Sequence, residues 1–185
     1  MTSIEALAKL AGDQAHPAWE VALLYPEQGA WTEGAYLRLT NQTNRLVELV
    51  DGRVEVLPMP SRTHQKITAF LYRLFYAFVE ANNLGTLLFA PLRVRLWSGR
   101  YREPDLVFVL AEHAHLEGEA YFSGADLVVE VVSPDDPDRD LVDKRADYAE
   151  VGIAEYWIVN PLDETVTVLQ LDGKQYTEHG VFSAV

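Results

Sequence analysis

The chain contains no cysteine, which excludes disulfides, thiolate metal sites and a cysteine nucleophile. No apolar run approaches the roughly 20 residues that a membrane-spanning helix needs. The opening residues, MTSIEALAKLAGDQ, lack the basic-then-apolar order of a secretory signal. A cytoplasmic protein with no membrane partner is the expectation. Cations are scarce as well: 15 Lys and Arg stand against 28 Asp and Glu, a formal charge of −13. That balance argues against a general nucleic-acid coat, because phosphate is repelled at long range. It leaves room for a nucleic-acid enzyme whose metal ions and local basic patches offset the mean. Phosphate-binding glycine loops, dinucleotide fingerprints and serine nucleophile elbows are also missing.

What is present fits one globular domain, 1–185, with 1–31 as an N-terminal extension and 32–185 as the core. Nearly half of the 185 residues are apolar, enough to bury a sizeable interior. The stretch from Asp126 to Pro161 organises the rest. Leu127–Val132 is a β-branched run that predicts a strand buried on both faces, with Glu130 in its middle. An Asp-rich turn follows, then a helix from near Asp138 to Val151, ended by Gly152. Glu155–Val159 predicts the next strand, completing a βαβ-like unit. A carboxylate inside a buried strand is costly unless it is paired or holds a metal.

Elsewhere a short helix is expected near 3–11 and another from Thr32 to about Leu39. Two strands around Asp51-Gly52, and two more around Asp172-Gly173, read as hairpins. The longest helix spans about Ser61 to Asn82, with Ile67, Phe70, Leu71, Leu74, Phe75, Phe78 and Val79 as its apolar stripe. Strands are expected at Thr86–Trp97 and from Asp105 to Leu110. Arg93, Arg95, Arg100 and Arg102 cluster just ahead of the most acidic part of the chain.

If the strands that carry Asp105 and Glu130 are neighbours, the two carboxylates converge on one divalent cation. Hard oxygen donors with open water positions suit Mg²⁺ or Mn²⁺, which activates water and polarises a phosphodiester. The competing reading makes Asp105 a turn residue and pairs Glu130 with an arginine; spacing alone leaves both open. Asp136-Pro-Asp138-Arg-Asp140 imitates a calcium loop, but it has Leu141 where glycine is required. His113 and His115 lack a convincing third metal ligand.

Glu-Pro-Asp105-Leu-Val-Phe-Val, Asp-Leu-Val-Val-Glu130-Val-Val-Ser-Pro and Asp140-x3-Lys144-x3-Tyr148-x3-Gly152-x2-Glu-Tyr-Trp157-x2-Asn-Pro161 together resemble the Uma-two family. Its members are bacterial restriction-endonuclease-like proteins of the PD-(D/E)XK nuclease superfamily. Glu48-Leu-Val-Asp-Gly52 and His64 also match its pattern, and the likeness covers roughly residues 32–183. It implies an α/β (α+β) fold, a restriction-endonuclease-like mixed β-sheet flanked by helices, with an N-terminal helical segment and β-hairpins. It further implies a Mg²⁺-dependent (or Mn²⁺-dependent) endonuclease acting on DNA. By the resemblance Asp105 and Glu130 are metal ligands, with the Val131 carbonyl a third.

The superfamily's lysine two residues after the glutamate is Val132 here, and the resemblance nominates Lys144 on the following helix instead. Its plainer role is an i,i+4 helix pair with Asp140, worth a few tenths of a kcal/mol. Tyr148, on the same helix face, is expected in the core. Glu48 and His64 are auxiliary site residues by resemblance. At a helix N-terminus His64 is expected to be disfavoured as a cation. The alternatives are a catalytically decayed nucleic-acid-binding or interaction module, and a metal-dependent hydrolase of RNA or a smaller phosphate ester. The N-terminal aromatics Trp19, Tyr25, Trp31 and Tyr36 suggest a homodimer, part of whose interface they form.

Overall fold

The structure, a computed structural model, describes residues 25–183. The helix expected near 3–11, and Trp19, lie outside the described residues. Helix α1 (Glu33–Thr40) starts where Thr32 accepts the Ala35 amide as N-cap. Strands β1 (Val47–Val50) and β2 (Arg53–Val56) follow. Asp51 and Gly52 between them have φ of 49° and 75°, the left-handed pair that a two-residue hairpin needs. Helix α2 (Arg62–Asn82) is capped by Ser61, whose hydroxyl accepts the His64 amide.

The stretch expected as one strand over Thr86–Trp97 is two. Strand β3 (Gly85–Phe89) ends before Pro91, and β4 (Val94–Trp97) resumes in a different sheet. Proline has no N–H for a ladder, so the break falls where pairing is lost. Then come β5 (Arg100–Arg102), β6 (Leu106–Leu110) and β7 (Leu127–Val131). A widened helical turn, Arg139–Asp143, runs into α3 (Lys144–Val151). Gly152 closes α3 at φ 90°, and β8 (Glu155–Asn160), β9 (Thr165–Asp172) and β10 (Gln175–Ser183) finish the chain.

The strands form two sheets. One is ordered β2-β1-β5-β4 and the other β10-β9-β8-β7-β6-β3. In the larger sheet β7 and β8 are parallel, as the βαβ reading requires, and the other pairs are antiparallel. Alternation along β7 decides the layers. Val129 and Val131 pack with Leu71 of α2 on one face. Val128 and Val132 pack with Val94, Leu96 and Tyr148 on the other, under β4 and α3. Glu130 shares that second face. A third cluster, Tyr36, Val47, Leu49 and Tyr101, joins α1 to the smaller sheet.

Tyr36 is therefore fully buried within the chain and donates its hydroxyl to the Val47 carbonyl. It is not available to a dimer interface, as the sequence had suggested. The α2 stripe is also only partly used. Leu71 and Val79 are buried, whereas Phe70, Leu74 and Phe78 remain exposed on one flank. A regular stripe is wider than the single sheet face that α2 covers. Among the described residues no helix is long and apolar enough to cross a membrane.

Candidate active site

The parallel pair β7–β8 opens a cleft at the strand ends, with a volume of about 350 Å³. Asp105, Glu130, Val131, Lys144 and His64 all line it. Leu106 pairs with Val129, so one step further along this antiparallel ladder brings Asp105 opposite Glu130. The strands that carry the two carboxylates are neighbours.

Each carboxylate is held by one oxygen. Asp105 Oδ2 accepts the Val131 amide at 2.8 Å and lies 3.1 Å from His64 Nε2. Glu130 Oε1 accepts the Tyr148 hydroxyl at 2.6 Å and lies 2.8 Å from Lys144 Nζ. Asp105 Oδ1 and Glu130 Oε2 have no such partner among the described residues. Tyr148 is thus both core and site: fully buried, with a phenol that burial and the nearby Glu130 keep protonated.

Lys144 is 3% exposed and also sits 3.1 Å from Asp140 Oδ1 and 3.5 Å from Glu48 Oε1. The Asp140–Lys144 pair is accordingly buried and not the solvated helix pair that spacing suggests. Burial works against the Lys144 charge, but Glu130, Glu48 and Asp140 outweigh it, and its pKa is raised. The ammonium keeps its proton at neutral pH. For Glu130 burial dominates, and with Asp140, Asp105 and Glu48 nearby it is pushed up to about 8 despite Lys144.

Glu48 points inward but lies behind the cleft, with no exposure. Both its oxygens are engaged: Oε2 by Arg102 at 2.7 Å, Oε1 by the Glu103 amide at 3.0 Å. Burial alone would raise its pKa; Lys144 and Arg102 overcome that and hold it down at about 2. Glu48 therefore supports Lys144 from behind. His64 departs from the helix-dipole expectation. Burial opposes its charged form, yet the Asp105 carboxylate prevails and raises its pKa.

Three participants were not assigned to the site from the sequence, Arg102 having been noted only as one of a cluster of arginines. Arg102 is 2% exposed and reaches Glu48 and Asp147, the latter through Nε at 2.9 Å and Nη2 at 2.7 Å. Asp147 also receives Arg100 at 3.1 Å. Glu103 lines the cleft; burial and Glu48 push it up to about 7. The signal was the alternation of Arg100 and Arg102 along a short strand, because a buried arginine demands carboxylates. Outside the site, His113 Nδ1 pairs with Asp126 Oδ1 at 2.7 Å, which accounts for that histidine without a metal.

Among the described residues no three His, Asp or Glu side chains form a ready-made metal cage. A hard divalent cation that keeps part of its water shell asks for fewer protein donors. Asp105 Oδ1, Glu130 Oε2 and the Val131 carbonyl are donors of that kind. Carboxylates outnumber the bases around them here: Glu48, Asp105, Glu130 and Asp140 gather around Lys144, Arg102 and His64.

No curated protein matches the chain. A crystal structure of a "putative nuclease belonging to DUF820" from Anabaena variabilis is similar with a TM-score of 0.63 and 19% identity, over 77% of this chain and 79% of that one. At that identity the likeness bears on the fold, which is that of the nuclease. Residues 34–185 match the Uma2 family, described as "putative restriction endonuclease", and the chain belongs to that family.

Proposed function

We propose that this chain hydrolyses phosphodiester bonds in DNA, with Mg²⁺ or Mn²⁺ held by Asp105, Glu130 and the Val131 carbonyl. The observation that carries this reading is the placement of Asp105 opposite Glu130, each with one oxygen turned to other partners, 2.8 Å from a buried lysine in the second case. When bound, such an ion would polarise a phosphoryl oxygen and lower the pKa of a coordinated water. Lys144 keeps its proton, so it acts as a fixed positive charge beside the phosphate and not as a base. Tyr148 and Lys144 fix the rotamer of Glu130; His64 and the Val131 amide fix that of Asp105. Glu48 holds Lys144 in place from the core.

The reading includes a homodimer, one cleft for each DNA strand. Phe70, Leu74 and Phe78, exposed on α2, are apolar surface on which two copies can meet. Light scattering that shows a monomer at micromolar concentration overturns that part. Cleavage itself is tested on plasmid, single-stranded and methylated DNA with Mg²⁺, Mn²⁺ or EDTA. Metal-dependent nicking or cutting is expected. No cleavage of any of these overturns the proposal, and cleavage of RNA or a small phosphate ester alone moves it to another substrate.

A further inference from the structure

Arg102 is the last residue of β5, and only Glu103 and Pro104 separate it from Asp105. Leu49 pairs with Tyr101, so the next step of this antiparallel ladder sets Arg102 opposite Glu48. All three nitrogens of its guanidinium are engaged. Nη1 donates to Glu48 Oε2 at 2.7 Å, while Nε and Nη2 both donate to Asp147 Oδ2, at 2.9 and 2.7 Å. A more exposed carboxylate, Glu55, lies 3.9 Å from Nη1. Burial works against the Arg102 charge, but Glu48 and Asp147 outweigh it and the guanidinium stays charged.

Both close partners lead to Lys144. Asp147 lies on α3 three residues after it, on the same helix face. Glu48 Oε1 lies 3.5 Å from Lys144 Nζ and accepts the Glu103 amide at 3.0 Å. Arg102 thus holds the backbone that carries Lys144 through Asp147, and the ammonium itself through Glu48. It does so from the segment that runs directly into Asp105. The planar fork of a guanidinium suits such a bridge, whereas an ammonium is a point charge that does not span two carboxylates in the same geometry.

We propose that Arg102 is a positioning residue for the hydrolysis: it registers Lys144 on α3 against Asp105, two groups from different elements that must meet at one phosphate. The proposal rests on the nuclease reading of the cleft and goes beyond it, because Arg102 does not itself line the cleft. Displacing a reacting group by about 1 Å costs on the order of 10²-fold in rate.

The test compares wild type, Arg102→Lys, Arg102→Met and Arg95→Met at a temperature where circular dichroism shows each of them folded. Arg95 is the control, since it pairs with Glu33 at 3.3 Å and does not line the cleft. Plasmid cleavage in Mg²⁺ supplies kcat and KM. In Arg102→Met kcat is expected to fall about 10²-fold while KM changes by less than about twofold. Arg102→Lys should fall between that variant and the wild type, and Arg95→Met should match the wild type. A folded Arg102→Met with the wild-type kcat overturns the proposal, and so does an equal loss in Arg95→Met. If Arg102→Met does not fold, Arg102→Lys and Asp147→Asn carry the same comparison, with kcat again expected to fall. A second readout needs no cleavage: proton–nitrogen NMR correlation of the lysine ammonium groups in metal-free protein. Lys144, buried among three carboxylates, should give a slowly exchanging signal in wild type and Arg95→Met that broadens or shifts in Arg102→Met. An unchanged signal overturns the positioning whatever the cleavage shows. A wild type that cleaves no DNA, with the signal altered in Arg102→Met, keeps the hold on Lys144 and removes the hydrolytic reading.

Discussion

Lys144 Nζ lies 2.8 Å from Glu130 Oε1, and the same ammonium reaches Asp140 and Glu48, so one buried cation serves three carboxylates. Each partner alone is an expensive group to bury; together they are mutually dependent. Lys144→Met should therefore do two things. Cleavage should fall on the order of 10²–10³-fold, since a fixed charge beside the phosphate is lost. DNA binding in Ca²⁺ should survive, because Lys144 is buried at the cleft floor and offers little surface to the DNA backbone. Equal loss of binding and cleavage would assign Lys144 to substrate holding.

Glu48 offers a cleaner test of the support behind the site. Its two oxygens are fully engaged in a place no solvent reaches. Glu48→Ala takes from Arg102 a 2.7 Å ion pair and from the Glu103 amide its acceptor, while Lys144 keeps Glu130 and Asp140, and urea unfolding should show a loss of about 1.5–3 kcal/mol. The Arg102→Met variant should cost a similar amount, since Glu48 then keeps only Lys144 at 3.5 Å and Asp147 only Arg100 at 3.1 Å. The double variant should cost clearly less than the two added together. Additive losses would mean that the pair is not coupled.

Much of this arrangement was legible in the chain, for identifiable reasons. Glu130 stood out because a lone charge in a β-branched run needs a reason, and the βαβ unit around it follows from local pattern. Asp105 and Lys144 came through the family resemblance, with spacing leaving their roles open. The carboxylates and arginines behind Lys144 were not legible. Arg102, Glu103 and Asp147 look like ordinary surface charges until β5 is seen to pair with β1 and turn inward. Long-range pairing of short strands sets that, and no local period reports it. The exposed flank of α2 was misread for a related reason: periodicity gives a face, but tertiary packing decides how much of it is covered.

The pH dependence of stability follows from Glu130, whose pKa rises from an ordinary 4.5 to about 8 on folding. The folded state then holds the proton more tightly than the unfolded chain. That contribution is complete below about pH 4.5 and is lost as pH climbs through about 8. Glu130→Gln lacks it. The wild type should lose roughly 1–3 kcal/mol relative to this variant between pH 5 and 9 in the absence of metal. Glu103, raised to about 7, titrates in both proteins and cancels in the difference. Glu48, held at about 2, stays ionised throughout. Urea melts at several pH values provide the measurement, and a gap that does not change with pH would show that Glu130 is ionised all along.

Metal binding gives the most decisive comparison, because it separates a site built for an ion from a structural pair. Without metal, Glu130→Gln leaves Lys144 still near Asp140 and Glu48, so no cation is stranded. Asp105→Asn keeps an acceptor for the Val131 amide that Asp105 now binds. Both variants should therefore hold their stability without metal, or gain about 1 kcal/mol from relieved repulsion. The wild type should be stabilised by Mg²⁺, by about 2.7 kcal/mol once the free ion reaches 100 times its Kd. In both variants a charged donor is gone and that rise in Tm should vanish. A structural role predicts the opposite pattern: variants weakened by roughly 3–5 kcal/mol and a wild type indifferent to the ion. Thermal melts of the three proteins, with and without Mg²⁺, distinguish the two. If the structural pattern appears, Asp105 and Glu130 hold the fold together and the proposed metal centre is wrong.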